Sequence, residues 1–215
     1  NTVLFGKEAS SETGFQIVKK YREKTYSLNT VWTDKSIKTD KGTLETKALF
    51  GNKKYFDFPK PVDLIKRILT VSSRKDDVIL DFFSGSATTA HAVMQLNSED
   101  GGNRKHIQVQ LPEPTDEKSE AYKAGYKTIA EIGKERIRRA GKKIIDENPL
   151  LAQNLDIGFK VFKLDSSNIN AWDGSPDNLE SSLFNAQDNI KTGRSEHDVL
   201  FEILLKYGLD LTLPI

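Results

Sequence analysis

Apolar residues along this chain change period several times, and the densest set of changes lies between residues 60 and 112. Val62 to Leu69 carries Leu64, Ile65, Ile68 and Leu69 at helical spacing just after Pro59 and Pro61, residues suited to a helix entry. A helix is predicted there. Val78-Ile79-Leu80-Asp81-Phe82-Phe83 is a short apolar run of β-formers, the pattern of a buried parallel strand. It opens into the small-residue turn Ser84-Gly85-Ser86-Ala87-Thr88-Thr89. Thr88 to Leu96 contains no Gly or Pro and predicts a helix that stops at Asn97, before a loop over Ser98 to Asn103. His106 to Leu111 reads as a second strand, ended by Pro112. Strand, turn, helix, loop and strand together occupy about 35 residues, the length of a βαβ unit with a right-handed crossover.

Further on, Tyr122, Tyr126, Ile129, Ile137, Ala140 and Ile144 mark the apolar face of one long helix from about Ser119 to Asp146. Its basic residues Lys134, Arg136, Arg138, Arg139, Lys142 and Lys143 are interleaved with Glu131 and Glu135, which favours a solvated face over a phosphate-binding stripe. Phe159 to Leu164 alternates apolar and basic residues and reads as a third strand. Val199, Leu200, Ile203 and Leu204 build a late helix over His197 to Tyr207. Residues 1–50 are polar and rich in Lys, Thr and Ser, an irregular connector with at most one helix. Phe15 to Val18 and Leu28 to Trp32 are its short apolar stretches, each long enough for one element.

A length of 215 residues suits one sizeable domain with appended pieces. No apolar run approaches the roughly 20 residues of a membrane span, so no membrane association is expected. Asn1 to Gly6 carry no signal-peptide pattern, and the missing initiator Met points to a chain cut from something longer. The absence of cysteine excludes disulfides and thiolate-bound zinc, and His91, His106 and His197 form no metal spacing. A net charge of +1 gives the chain no strong footprint for nucleic acid, so most phosphate contacts to any DNA substrate are expected elsewhere.

The chemistry concentrates in the turn after Asp81, because the carboxyl ends of parallel strands are where open α/β sheets bind ligands. The turn has no lysine for a Walker-type phosphate loop, and its single Gly85 falls short of the three glycines of a dinucleotide fingerprint. Asp81 suits a ligand ammonium better than a pyrophosphate, while backbone N–H groups at the helix start near Ser86 to Thr89 suit a carboxylate. S-adenosylmethionine carries both groups. The competing reading makes Asp81 a helix cap and Gly85 a simple bend. His91 is expected to pack on its helix neighbours, as are Trp32 and Trp172 in core or interface; Asp165 is left open between a cofactor pocket and a turn.

Phe58-Pro59-Lys60-Pro61, a helix, and Leu80-Asp81-Phe82-Phe83-Ser84-Gly85-Ser86-Ala87-Thr88-Thr89-Ala90-His91-Ala92 resemble, in this order, the paired cofactor motifs of β-class DNA amino-methyltransferases. The Phe-Phe pair, the loop Asp100 to Lys105, Glu131 to Ile137 and Gly158 to Asn168 are similar to modification subunits of type III restriction-modification systems, which are DNA adenine-N6 methyltransferases. The likeness runs from about Gly42 to the end, with a weaker echo at Leu4 to Lys7. It implies a partial Rossmann-like α/β sheet with helices on its faces, in which strands 78–83, 106–111 and 159–164 are parallel and adjacent, the first lying in the middle. It divides the chain into the tail of a target-recognition region or connector at 1–50, an S-adenosylmethionine-binding part at 51–168 and the start of a C-terminal interaction region at 169–215.

The resemblance assigns cofactor binding to Phe58, Pro59, Lys60, Pro61, Asp81, Phe82, Phe83, Ser84, Gly85, Ser86, Thr88, Thr89 and Gln110. It implies DNA, a second modification subunit and a helicase-nuclease restriction subunit as partners, in the bacterial cytoplasm. The family places an acid for the cofactor ribose where this chain has Gln110, and a second turn glycine where it has Ala87, tolerable if φ there is negative. The catalytic Asp/Asn-Pro-Pro-aromatic motif is absent: the sequence has no Pro-Pro pair, and Asn148-Pro149-Leu150 is the nearest string. The motif is therefore expected upstream of Asn1, the chain is expected to be trimmed at both ends, and methyl transfer by these residues alone is not expected.

Overall fold

The computed structural model describes residues 2–6, 16–20, 31–149, 155–172, 175, 177, 179–185 and 189–212. They fall into two compact units, Asn1–Ile157 and Gly158–Ile215.

The first unit opens with two short antiparallel strands, β1 (Thr2–Gly6) and β2 (Gln16–Lys20), Thr2 opposite Lys20 and Gly6 opposite Gln16. After a 3-10 turn at Lys35–Ile37 comes helix α1 (Thr39–Leu49). The described residues among the first 50 thus hold more regular structure than an irregular connector with one helix. The apolar stretch ending at Val18 lies largely in β2, while only Val31 and Trp32 of the Leu28 to Trp32 stretch are described, in no helix or strand. Trp32 sits under the Arg67 guanidinium, 5.0 Å from ring centroid to Cζ.

Helix α2 (Val62–Ser72) begins immediately after Pro61 and buries Val62 and Leu69. Strand β3 (Val78–Asp81), helix α3 (Thr88–Asp100) and strand β4 (Lys105–Gln108) form the expected βαβ unit. The strands are parallel, with Ile79 opposite His106 and Asp81 opposite Gln108. Nine residues of α3 are buried, and Ala92, Val93 and Leu96 pack on Val62 and Leu69 of α2, with Ile65 and Ile79 at the rim. Helix α3 runs past Asn97 to Asp100, where Gly101 at φ +66° ends it. Asn97 does not stop the helix because its side chain is used elsewhere: its amide bonds the backbone of Arg104 in both directions, at 2.9 and 3.1 Å.

One long helix over Ser119 to Asp146 is replaced by α4 (Glu120–Lys123) and α5 (Ile129–Glu147). Gly125 at φ +96° breaks the first, and a reciprocal capping box of Thr128 and Glu131 starts the second. Phe50, Ala121 and Ile132 form a small core with Tyr55 and Tyr126, whose rings meet Phe50 at 5.2 and 6.0 Å.

Two features depart from the expected sheet. The described residues hold only two parallel strands, and Val78, Leu80 and Ile107 on one face of them are 57%, 48% and 51% exposed. The run at 78–83 is therefore covered on one face, not two. Phe159 to Leu164 forms no strand. A strand exists only through a neighbouring ladder, and here the segment belongs to the second unit, where Phe162 packs edge-on against Phe201 at 5.0 Å. That unit adds α6 (Leu179–Asn185) and α7 (Glu196–Lys206), the late helix expected near 197–207, started by a Ser195–Asp198 capping box.

Candidate cofactor site

The turn between β3 and α3 is fixed by four local bonds. Ser84 N–H donates to the Val109 carbonyl at 3.1 Å and Val109 N–H to the Asp81 carbonyl at 2.8 Å, so the ladder continues past the strand ends. Ala87 N–H returns to the Ser84 carbonyl at 2.7 Å. Gly85 N–H donates to Gln110 Oε1 at 2.7 Å. Gly85 adopts φ +50°, a conformation that glycine takes without a Cβ penalty. Ala87 also has φ +59°, against the expectation of a negative value, so the turn is left-handed at the position where the resemblance expects glycine. A left-handed alanine costs about 1–2 kcal/mol. Its methyl is buried, which offsets part of that cost.

Asp81 uses one carboxylate oxygen for the Phe83 N–H, at 3.1 Å, and the other for the Thr89 hydroxyl, at 2.6 Å. It is not the N-cap of α3, a place held by Ala87. Each oxygen retains lone pairs for a further donor. Phe82 and Phe83 beside it are 64% and 88% exposed.

Segment Phe58-Pro59-Lys60-Pro61 is seated from behind by α1. A Cβ at Gly42 would overlap the Pro59 carbonyl oxygen and lie 2.7 Å from the Lys60 carbonyl carbon, so only glycine permits this approach. One turn along, Glu45 accepts the Val62 N–H at 2.9 Å and so completes the start of α2. Pro59 and Pro61 are buried, whereas Phe58, at φ +53°, is 75% exposed and Lys60 is exposed. Phe56, two residues ahead of Phe58, meets the turn: a Cβ on Gly85 would lie 3.2 Å from its ring. The chain just ahead of the Pro-rich segment is thereby in contact with the turn.

The turn rests on α5. A Cβ at Gly133 would lie 3.2 Å from the Gly85 carbonyl oxygen, and one turn later Arg136 Nη1 donates to Ser86 Oγ and Thr88 Oγ1, both at 2.7 Å. Arg136 is fully buried, which corrects its reading as part of a solvated face. Burial pulls its pKa down to about 10, opposed by Glu45, and Nε and Nη2 have no hydrogen-bond partner among the described residues. Arg138 is exposed in keeping with the expected face, and Arg139 pairs with Glu135 at 2.7 Å. Sequence reasoning missed Gly42, Glu45, Phe56, Gly133 and Arg136. The signal for Arg136 was present: it lies four residues after Ile132 and four before Ala140, on the buried stripe.

His91 is buried on α3 as expected, with Nδ1 unpartnered. Burial first, then Arg136, Lys143 and Lys66, bring its pKa to about 3, so the ring is neutral. Asp165 pairs with Arg194 at 2.7 Å within the second unit. No group of three metal-ligating side chains occurs among the described residues, and no described helix is long and apolar enough to cross a membrane.

The strand–turn–helix–strand unit, with an acid at the end of β3 and a Pro-rich segment entering the preceding helix, makes this a mixed α/β protein with a parallel β3–β4 pair. A family model described as DNA methylase matches residues 7–142, and the chain belongs to that family. It is 42% identical over 163 residues to the type III restriction-modification enzyme StyLTI Mod subunit of Salmonella typhimurium, covering 76% of this chain and 24% of that protein. To the type III EcoP15I Mod subunit of Escherichia coli it is 33% identical over 216 residues, 99% of this chain and 31% of that protein. The type II methyltransferase M.KpnI of Klebsiella pneumoniae is 41% identical over 125 residues, 57% of this chain and 30% of that protein. The chain thus spans 24% to 31% of the length of these curated relatives.

Proposed function

We propose that this chain is the S-adenosylmethionine-binding part of a site-specific DNA adenine-N6 methyltransferase of a type III restriction-modification system. The observation that carries the reading is the packing of the Phe56 ring, two residues ahead of the Phe58 to Pro61 segment, against the Gly85 turn, which follows a carboxylate at the end of β3. The residues suit that cofactor. Asp81 has lone pairs left for an ammonium, the buried Arg136 supplies positive charge behind the turn, and the exposed rings of Phe58, Phe82 and Phe83 offer stacking faces for an adenine. When bound, the cofactor supplies an electrophilic sulfonium methyl group.

The work of these residues is to bind and orient. Asp81 anchors the amino-acid end, and Gln110, whose oxygen holds the Gly85 N–H, fixes the turn with that oxygen. Its amide nitrogen faces the Leu111 carbonyl at 3.2 Å and keeps a second hydrogen for a ribose hydroxyl. Pro59, Lys60 and Pro61, the first two of them seated on Gly42 of α1, are assigned a further wall of the site. Ser84, Ser86, Thr88 and Thr89 contribute backbone and hydroxyl donors at the turn. Holding a flipped adenine needs further groups, and these 215 residues contain no Pro-Pro-aromatic string for it. The chain by itself is therefore expected to transfer no methyl group. The match to a DNA methylase family and the relatives named Mod subunits of restriction-modification enzymes support DNA as substrate and a restriction subunit as partner; to these the proposal adds a second modification subunit and a place in the bacterial cytoplasm.

Calorimetric titration of the full-length protein with S-adenosylmethionine and with NAD tests the reading. Saturable binding of the first alone is expected; binding of NAD alone overturns it in favour of a nucleotide-dependent oxidoreductase.

A further inference from the structure

Arg136 poses a physical problem that the fold does not resolve by itself. A fully buried guanidinium ordinarily lies against a carboxylate. Here its hydrogen-bond partners are two hydroxyl oxygens, Ser86 Oγ and Thr88 Oγ1, and Nε and Nη2 have no partner among the described residues. Glu45 acts on it only through space. The hydroxyls it holds stand at the first turn of the 13-residue helix α3, whose own dipole is positive at that end. Two positive features therefore face each other with no anion in contact. An anionic group bound at this turn would offset both.

The hydrogen bonds also have a direction. Ser86 and Thr88 accept from Arg136, so their hydroxyl hydrogens point away from it. The two oxygens are 3.4 Å apart, which lets one hydroxyl donate to the other. The second hydrogen is left for an acceptor beyond the pair.

We propose that Arg136 is a positioning residue that makes the turn selective for ligands bearing a carboxylate: it holds Ser86 and Thr88 as donors and supplies the positive charge against which the cofactor's α-carboxylate binds. This rests on the S-adenosylmethionine reading above and names what that site discriminates. Loss of Arg136 lowers affinity for carboxylate-bearing cofactors and leaves carboxylate-free analogues unaffected, whereas a structural role alone would weaken both alike.

The test is titration of the full-length protein with S-adenosylmethionine and with its decarboxylated form, which keeps the ammonium, sulfonium and adenosine. Wild type is expected to prefer the carboxylate by about tenfold or more, the ratio that one charge-assisted interaction supplies. Arg136→Gln is expected to reduce that ratio to within about threefold by weakening S-adenosylmethionine alone, and Arg136→Lys, which keeps the charge, to retain most of it. A Gln variant with both affinities lowered equally overturns the inference, as does a Lys variant that loses the preference. If Arg136→Gln does not fold, the Lys variant and wild type decide. A wild type that binds S-adenosylmethionine without preferring it to the decarboxylated form overturns this inference alone; a wild type that binds neither overturns the cofactor reading with it.

Discussion

Gly42 of α1 and Pro59 are in backbone contact so close that a methyl group on Gly42 would overlap the Pro59 carbonyl oxygen. Helix α1 thus acts as the seat of the Pro-rich segment, with Glu45 holding the next N–H at Val62. Gly42→Ala gains up to about 1 kcal/mol of helix propensity but forces a shift that costs about 1–3 kcal/mol. The melting temperature of the full-length protein should fall by a few degrees, with a weaker affinity for S-adenosylmethionine. An unchanged affinity would show that the segment does not line the site.

Asp81 holds the turn and is the proposed partner of the cofactor ammonium, and its contacts decide how it should be tested. Asn at this position keeps an oxygen acceptor for the Phe83 N–H and can donate from its amide nitrogen to the Thr89 hydroxyl oxygen, so the turn contacts can survive while the charge is lost. Thr89→Val removes one of those contacts and leaves the carboxylate. Asp81→Asn should cost about 1.5–3 kcal/mol of cofactor binding, tenfold or more, against a small fraction of that for Thr89→Val. Equal losses in titrations of the two variants would reduce Asp81 to a structural role.

His91 gives the first unit a pH-sensitive element. Its folded pKa, about 3, lies below the unfolded value of 6.5, so the unfolded chain binds the extra proton as pH falls. The contribution is fully present above about pH 6.5 and is lost on acidification toward pH 3, at up to about 1.4 kcal/mol per pH unit. Arg136, Lys143 and Lys66 are the charges that add to the burial effect. Urea unfolding of wild type and His91→Leu between pH 7 and 4 should give a stability difference that narrows in this sense; parallel curves would contradict it.

Thr128 starts α5, which carries both Gly133 and Arg136 to the turn. Thr128→Ala removes the side-chain half of the capping box and should cost about 1 kcal/mol, read as a lower midpoint in denaturant. No change would mean that packing of Ile132 and Ile137 alone fixes the helix start.

The parts that the sequence disclosed are those whose information is local. The β3–turn–α3–β4 unit was legible because Val78 to Phe83, the Ser/Gly/Thr turn and the uninterrupted Thr88 to Leu96 stretch each carry their own period. Phe159 to Leu164 misled because alternation specifies a strand only if a neighbour supplies the ladder, and the ring of Phe162 found Phe201 instead. The break at Gly125 was overrun by an apolar face that continues in phase across it, although Thr128 and Glu131 stood at capping-box spacing. Of the proposed site, Asp81, Gly85 and Gln110, which the structure brings to one turn, were nameable from motif and chemistry. The burial of Arg136 was readable from its place on the helix stripe, but its partners and those of Gly42 were not, because they lie 50 and 17 residues away in sequence, which helical spacing does not encode.

Photo-crosslinking measures the central claim most directly. The full-length protein is irradiated with methyl-labelled S-adenosylmethionine and the labelled peptides are mapped. Label within residues 56–61 or 81–89, abolished by excess S-adenosylhomocysteine, is the result this account predicts. Specific label confined to other peptides, with these segments unlabelled, would contradict it.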